Sequence, residues 1–278
     1  MIKGAIFDLD GTLIDSMIIW AHTGERYLAK KGVTASPDLN ETLYTLTIEG
    51  GARYMKETYK LAETVDEVVS GINDMVKDFY ANEVAEKPGA VELLSHMKQD
   101  GVMITLATSN SRELIMPALE RLNMLPYIDR IFTCPEEHTT KSEPDIFLTA
   151  AGYMNTEPDE TWVFEDSYYS IKAASDAGFR TVGIYDRESC QNQELIRETA
   201  DLYYTEIPLY QKIEEAADAA SCINGNAASD TPPSEGEGAV PCIKEAADAA
   251  SCINGNAASD MPPSEGEGAI HCIEEAAR

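Results

Sequence analysis

The sequence predicts an α/β protein: a doubly wound parallel sheet, a helical domain inserted after the first strand, and a disordered acidic tail at the C-terminus. Three observations carry this expectation. Short runs that are apolar on both faces alternate with helical stretches over residues 1–213, the pattern of a parallel sheet covered on both sides. One long stretch, Ser16–Lys87, interrupts the alternation with helical periodicity and few strand signals. Beyond residue 213 the composition changes abruptly.

Strands are expected at Ala5–Phe7, Val102–Ala107, Ile131–Phe132, Trp162–Phe164 and Thr181–Ile184. A helix follows the capping residues Ser109-Asn110-Ser111 and runs through Glu113–Leu122. Another covers Ser170–Ala177 and stops at Gly178. Inside the insertion, helical periodicity fits about 17–31, 38–46, 52–62 and 65–85, and Pro88-Gly89 closes it. The expected division is a core of residues 1–15 and 88–213, a helical domain of 16–87, and a tail of 214–278.

The tail holds 13 acidic and 2 basic residues, no aromatic residue and six Ile or Val. Such a segment buries too little apolar surface to offset its ordering entropy. It is also a repeat: AADAASCINGNAASD occurs at 216–230 and again at 246–260, a period of 30. Pro232-Pro233 and the Glu-Gly-Glu-Gly run interrupt any continuous helix, so a disordered tail is expected, with a partner-docking segment as the alternative.

The chain of 278 residues carries a formal net charge of −28. That excludes nucleic acid as a main partner, because phosphate binding needs a basic stripe, and it disfavours an anionic membrane surface. No apolar run approaches the roughly 20 residues of a spanning helix, and the N-terminus meets acid too early for a signal peptide. A cytoplasmic protein with no protein partner is the expectation. The six cysteines, Cys134, Cys190, Cys222, Cys242, Cys252 and Cys272, form no C-x-x-C pair. Cys134 and Cys190 read as small packing residues.

The chemistry sits where strands end, the place where open α/β sheets bind ligands. The first strand runs into Asp8-Leu9-Asp10-Gly11-Thr12-Leu13-Ile14-Asp15-Ser16. Carboxylates at i and i+2 are costly to hold together without a cation, and magnesium fits, since it takes carboxylate oxygens and keeps waters for a phosphate. The second strand ends in Thr108-Ser109-Asn110, whose hydroxyls and free N–H groups suit a phosphoryl oxygen. Lys141, just ahead of Pro144-Asp145, offers a point charge. The fourth strand ends in Glu165-Asp166, the complement to Asp8 and Asp10.

These four segments, in this order, resemble the motifs of the haloacid dehalogenase superfamily. DLDGTLIDS matches the first, TSN the second, KSEPDIF the third with Ser142 where proline is common, and VFEDSYYSIKAASDAG the fourth. The resemblance covers about residues 1–207 and omits the tail. It implies a Rossmann-like core with a helical cap. It also implies a phosphatase acting on a small phosphate monoester, a sugar phosphate, a phosphoglycolate-like acid or a nucleoside monophosphate. Asp8 would be the nucleophile, forming an aspartyl phosphate, and Asp10 the general acid and base. Thr108, Ser109 and Lys141 would hold the phosphoryl group. Mg2+ would be held by Asp8, the backbone carbonyl of Asp10, Asp166 and Glu165.

In this family the cap reads the leaving group, so Trp20, His22, Gly50 and Arg53 are specificity candidates, with Gly50-Gly51 either a substrate loop or a helix break. Beta-phosphoglucomutases are the mutase alternative, but they carry a histidine in the first cap helix four residues past a threonine. Here Ser16 is followed by Trp20. The alternative from another class is a non-catalytic binding protein acting through its acidic tail.

Overall fold

The computed structural model describes residues 2–189 and 192–225, with side chains to Asp218. Six parallel strands form one sheet: β1 Gly4–Phe7, β2 Met103–Thr108, β3 Arg130–Thr133, β4 Thr161–Glu165, β5 Arg180–Ile184 and β6 Leu202–Tyr204. Their order is β3-β2-β1-β4-β5-β6, so β1 lies between β2 and β4. The register sets Phe7 beside Leu106 and Phe164, and the Phe7 and Phe164 rings stack at 4.2 Å.

Side chains alternate across the sheet, and two apolar layers result. Ala5, Phe7, Ile104, Leu106, Trp162 and Phe164 face the layer that includes α6 (Ala90–Gln99) and α7 (Arg112–Arg121). Ile6, Ala107, Phe132 and Val163 face α9 (Asp145–Met154) and α10 (Tyr168–Asp176). The short α8 (Cys134–Glu137) follows β3, and α11 (Gln193–Thr199) precedes β6. The doubly wound core expected from the sequence is therefore present, with one further strand. β6 was not legible because its Leu-Tyr-Tyr run is half-buried at a sheet edge.

Between β1 and β2 the chain is helical: α1 Met17–Ala21, α2 Thr23–Lys30, α3 Leu39–Tyr44, α4 Ile48–Tyr59 and α5 Val65–Asp78. A capping box fixes the start of α5, with Glu67 N–H donating to the Thr64 hydroxyl at 3.2 Å and Thr64 N–H to the Glu67 carboxylate at 2.7 Å. Two expectations are corrected here. The single helix over 17–31 breaks at His22, whose backbone leaves the helical region. The helix expected over 65–85 ends at Asp78 and continues as a π turn, Phe79–Glu83. Entry and exit of the insertion run side by side: Asp15 N–H donates to Ala85 O at 2.9 Å and Lys87 N–H to Leu13 O at 2.9 Å.

The composition break at residue 213 falls inside the final helix α12, Tyr210–Gly225. Ile213 and Ala217 are buried against the main core, so the folded part extends past the expected boundary at 214. The rest of the tail, and with it the expectation of disorder, lies outside the described residues. Among the described residues no helix is long and apolar enough to cross a membrane.

Candidate active site

The end of β1 delivers Asp8, whose N–H continues the ladder by donating to Phe164 O at 2.9 Å. The chain then turns at Gly11, where φ is +86° and an added Cβ would run into the Asp166 carboxylate. The end of neighbouring β4 delivers Glu165 and Asp166. Oxygens of Asp8, Glu165 and Asp166 lie within 4.8 Å of one another, and all three side chains are buried. Lys141, from the loop before α9, reaches into this group and donates to Asp8 Oδ1 and, at 2.7 Å, to Glu165 Oε1.

Three carboxylates and one ammonium leave the cluster under-neutralised, and the protonation balance shows it. Burial, more than the opposing charge of Lys141, pushes Asp8 from 3.8 up to about 7, and Glu165 and Asp10 add to the rise. Burial and the charges of Asp8, Glu165 and Asp186 hold Asp166 well above the usual carboxylate range. Burial alone would depress Lys141, but Asp8 and Glu165 more than offset it and raise it above an ordinary lysine. The rises on Asp8 and Lys141 point in opposite senses for their ion pair. They agree once the cluster is taken whole, since one cation cannot stabilise three anions.

Asp8 Oδ2 is buried and has no hydrogen-bond partner. An orphaned carboxylate oxygen beside two further carboxylates is the donor set of a hard divalent cation, and magnesium fits it. Asp8, Glu165 and Asp166 could hold the ion.

The Asp10 carboxylate is not in that cluster. Its Oδ1 accepts from the Ser16 hydroxyl at 2.6 Å and the Tyr80 hydroxyl at 2.5 Å, and its Oδ2 from Asn110 Nδ2 at 2.8 Å and, weakly, from Thr108 at 3.5 Å. Tyr80 sits in the π turn at the base of the insertion and is fully buried. Burial and the Asp10 charge raise its phenol well above the usual value, so it stays protonated and donates. Tyr80 escaped the sequence reading because it arrives from seventy residues away, on a helix whose periodicity marks it only as core.

The structure brings together Asp8, Lys141, Glu165 and Asp166, and brings Thr108 to Asp10. The half-buried Ser109 lies beside Cys134, 3.9 Å from its thiol. Trp20 donates from its indole to the Tyr80 hydroxyl at 3.2 Å, which ties it to the Asp10 network. His22 instead pairs with Glu25 and Asn40, each at 3.1 Å, at an exposed position. Gly50 is neither a loop nor a break: it lies in the first turn of α4, where its N–H donates to the Thr47 hydroxyl at 3.1 Å. The exposed Arg53 is one turn on and pairs with Glu49 at 2.8 Å. Lys87 and Asp186, joined at 2.9 Å, brace the end of β5, and Ser189 donates to Asp166 at 2.8 Å.

A model of the haloacid dehalogenase-like hydrolases matches residues 5–184, a span that takes in the sheet from β1 to β5 and every residue of the acidic cluster. The chain belongs to that family. Among similar proteins is a phosphorylated carbohydrates phosphatase of Thermotoga maritima, 24% identical over 180 residues, covering 65% of this chain and 83% of the relative. A beta-phosphoglucomutase of Bacillus subtilis is 27% identical over 217 residues, covering 72% and 91%. The solved beta-phosphoglucomutase of Clostridium difficile superimposes with a TM-score of 0.57 at 21% identity, covering 80% of this chain and all of the other, which bears on the fold alone. This haloacid dehalogenase-like hydrolase thus keeps the family's core, and the matched span ends before α12.

Proposed function

We propose that this hydrolase is a magnesium-dependent phosphatase that cleaves a small phosphate monoester through an aspartyl-phosphate intermediate. The observation that carries the reading is the unpartnered Asp8 Oδ2 beside Lys141, with Asp10 held separately by neutral hydrogen-bond donors. Two carboxyl groups two residues apart are thereby given different surroundings, which lets them take different roles.

Asp8 Oδ2 attacks phosphorus, and the bond from phosphorus to the ester oxygen breaks. Asp10 delivers a proton to the leaving oxygen as general acid. Water then attacks the phosphorus of the aspartyl phosphate while Asp10 takes its proton, and inorganic phosphate leaves with Asp8 restored. Lys141 and Thr108 hold the phosphoryl oxygens in place, which is most of what phosphoryl transfer needs. Asp8, Glu165, Asp166 and the backbone carbonyl of Asp10 would hold Mg2+. When bound, the ion supplies positive charge that lets a dianionic substrate enter an acidic pocket.

The helical insertion is the candidate reader of the leaving group, with Trp20 its specificity candidate through the Tyr80 hydroxyl to which its indole donates. Named relatives that act on phosphorylated carbohydrates favour sugar phosphates within the class. The test is phosphate release from a panel of small phosphate monoesters, with and without magnesium, beside Asp8→Asn. Magnesium-dependent release that the substitution abolishes is expected. Interconversion of beta-glucose 1-phosphate and glucose 6-phosphate without net phosphate release would assign a mutase instead, as the beta-phosphoglucomutase relatives would have it. A function that survives Asp8→Asn and is lost with residues 226–278 would belong to the tail.

A further inference from the structure

Helix α12 seats on the domain through one face. Tyr210, Ile213 and Ala217 are 6%, 0% and 7% exposed, at the i, i+3, i+7 spacing that lines up along a helix. Gln211, Lys212, Glu215 and Asp218 between and beyond them are exposed. The face lies against α6. Burial, with Glu214 and Asp100 nearby, pushes the Tyr210 phenol up to about 12.

The same triad recurs twice in the sequence at a period of 30: Val240, Ile243 and Ala247, then Ile270, Ile273 and Ala277. The second and third residues follow from the duplication that begins at Ile213. The first does not, since Tyr210 precedes the duplicated unit, yet position 240 is apolar as well, and Ile270 is its counterpart within the duplication. Of the exposed positions, Glu215 recurs as Glu245 and Glu275 and Asp218 as Asp248, whereas Lys212 is replaced by Cys242 and Cys272. Pro241 takes the place of Gln211, the second residue of the helix, where a missing N–H costs nothing because that group has no partner within a helix.

We propose that the surface of α6 is a seat for a helical motif that the chain carries three times, and that residues 240–247 of the same chain occupy it in place of 210–217. Seating the second copy lengthens the connection from β6 from about 5 to about 35 residues, which disfavours it by roughly 20-fold against the first. The first copy is therefore the resident, and the second a reserve that takes over when the first is damaged.

Ile213→Asp evicts the resident copy. The test compares Ile213→Asp in the full chain with Ile213→Asp in a chain ended after Gly238, which lacks both reserves. Thermal unfolding and peptide-resolved hydrogen exchange are read on each, with the unsubstituted chain at both lengths as control. The full-length variant should recover at least half of the Tm that the short variant loses. Amides of 240–250 should exchange at least tenfold more slowly in the full-length variant than in the unsubstituted chain. Adding Ile243→Asp and Ile273→Asp should remove both effects. Equal Tm losses at the two lengths, failure of both variants to fold, or no slowing at 240–250 would each overturn the proposal. Slowing that appears together with a dimer by light scattering would also overturn it, since the motif would then seat on a second copy of the chain.

Discussion

Asp8→Asn should make the magnesium-free protein more stable while it abolishes turnover. Asp8 is buried, and its pKa stands at about 7 against 3.8 for an ordinary aspartate. A carboxyl whose pKa is raised by folding holds its proton more tightly in the folded chain. Below pH 3.8 this has no effect on stability. Between pH 3.8 and 7 the folded state is penalised progressively, and above pH 7 the penalty is complete. A rise of about 3 units corresponds to about 4 kcal/mol. Asparagine stands in for the neutral acid, so the variant escapes the penalty, and Lys141 keeps Glu165 as its partner. For a domain of this size the gap in Tm is about 8–16 °C at pH 8 and vanishes near pH 4. Calorimetric scans of both proteins in a chelator from pH 4 to pH 8 measure it. Magnesium at pH 8 should narrow the gap by stabilising the unsubstituted chain. A variant that is no more stable at pH 8, or a gap that does not grow with pH, would refute the account of the cluster as under-neutralised.

Lys141→Met should act in the opposite sense, leaving three buried carboxylates without their cation. Turnover should vanish and stability at pH 8 should fall by about 3–5 kcal/mol in chemical denaturation. Tyr80→Phe removes one donor from Asp10 and leaves the aromatic packing in place. A loss of about tenfold in kcat for an alkyl phosphate is expected with little change in KM, because the hydroxyl positions the proton donor rather than the substrate. Gly11→Ala meets both a positive φ and the Asp166 carboxylate. It should cost about 1–3 kcal/mol and weaken magnesium binding by calorimetric titration. A chain ended after Gly225 should keep its activity and Tm, whereas one ended after Ile213 loses the buried Ala217 and should unfold several degrees lower.

The acidic cluster was legible in the sequence because each member ends a strand, and strand ends in a parallel sheet converge. Asp8, Glu165 and Asp166 need only that rule to be placed together, whereas Lys141 comes from the loop before α9 and was picked out by the Pro144-Asp145 helix start that follows it. The environment of Asp10 was less accessible. Ser16 and Asn110 are in the motifs that drew attention, but the Tyr80 hydroxyl depends on how a helical insertion folds back on its own entry point. No local pattern encodes that return. His22 and Arg53 pair with Glu25 and Asn40 and with Glu49, away from the Asp8 and Asp10 carboxylates, and the sequence could not foresee this for the same reason: periodicity puts them on helices but not on a particular face of the assembled protein. Gly50 was misread because a Gly-Gly pair weakens a helix by roughly 2 kcal/mol in isolation. The Thr47 cap and the Gly51 and Ala52 contacts within the insertion override that preference. Residue 213 marked a change in composition, yet small side chains such as Ala217 are enough to extend a helix against a neighbour.

The two crossings of the insertion are bonded to each other before either reaches the core, since Ile14 bridges Glu86 and the flanking amides pair across. The insertion enters and leaves through this two-stranded stalk, and a second grip holds its base, where Arg121 of α7 donates to the carbonyls of Tyr80, Ala81 and Val84. For a protein engineer this is a socket with two fittings: a helical head of another length can be grafted on the stalk if the turn that Arg121 grips is kept. The graft must still supply whatever presents a hydroxyl to Asp10.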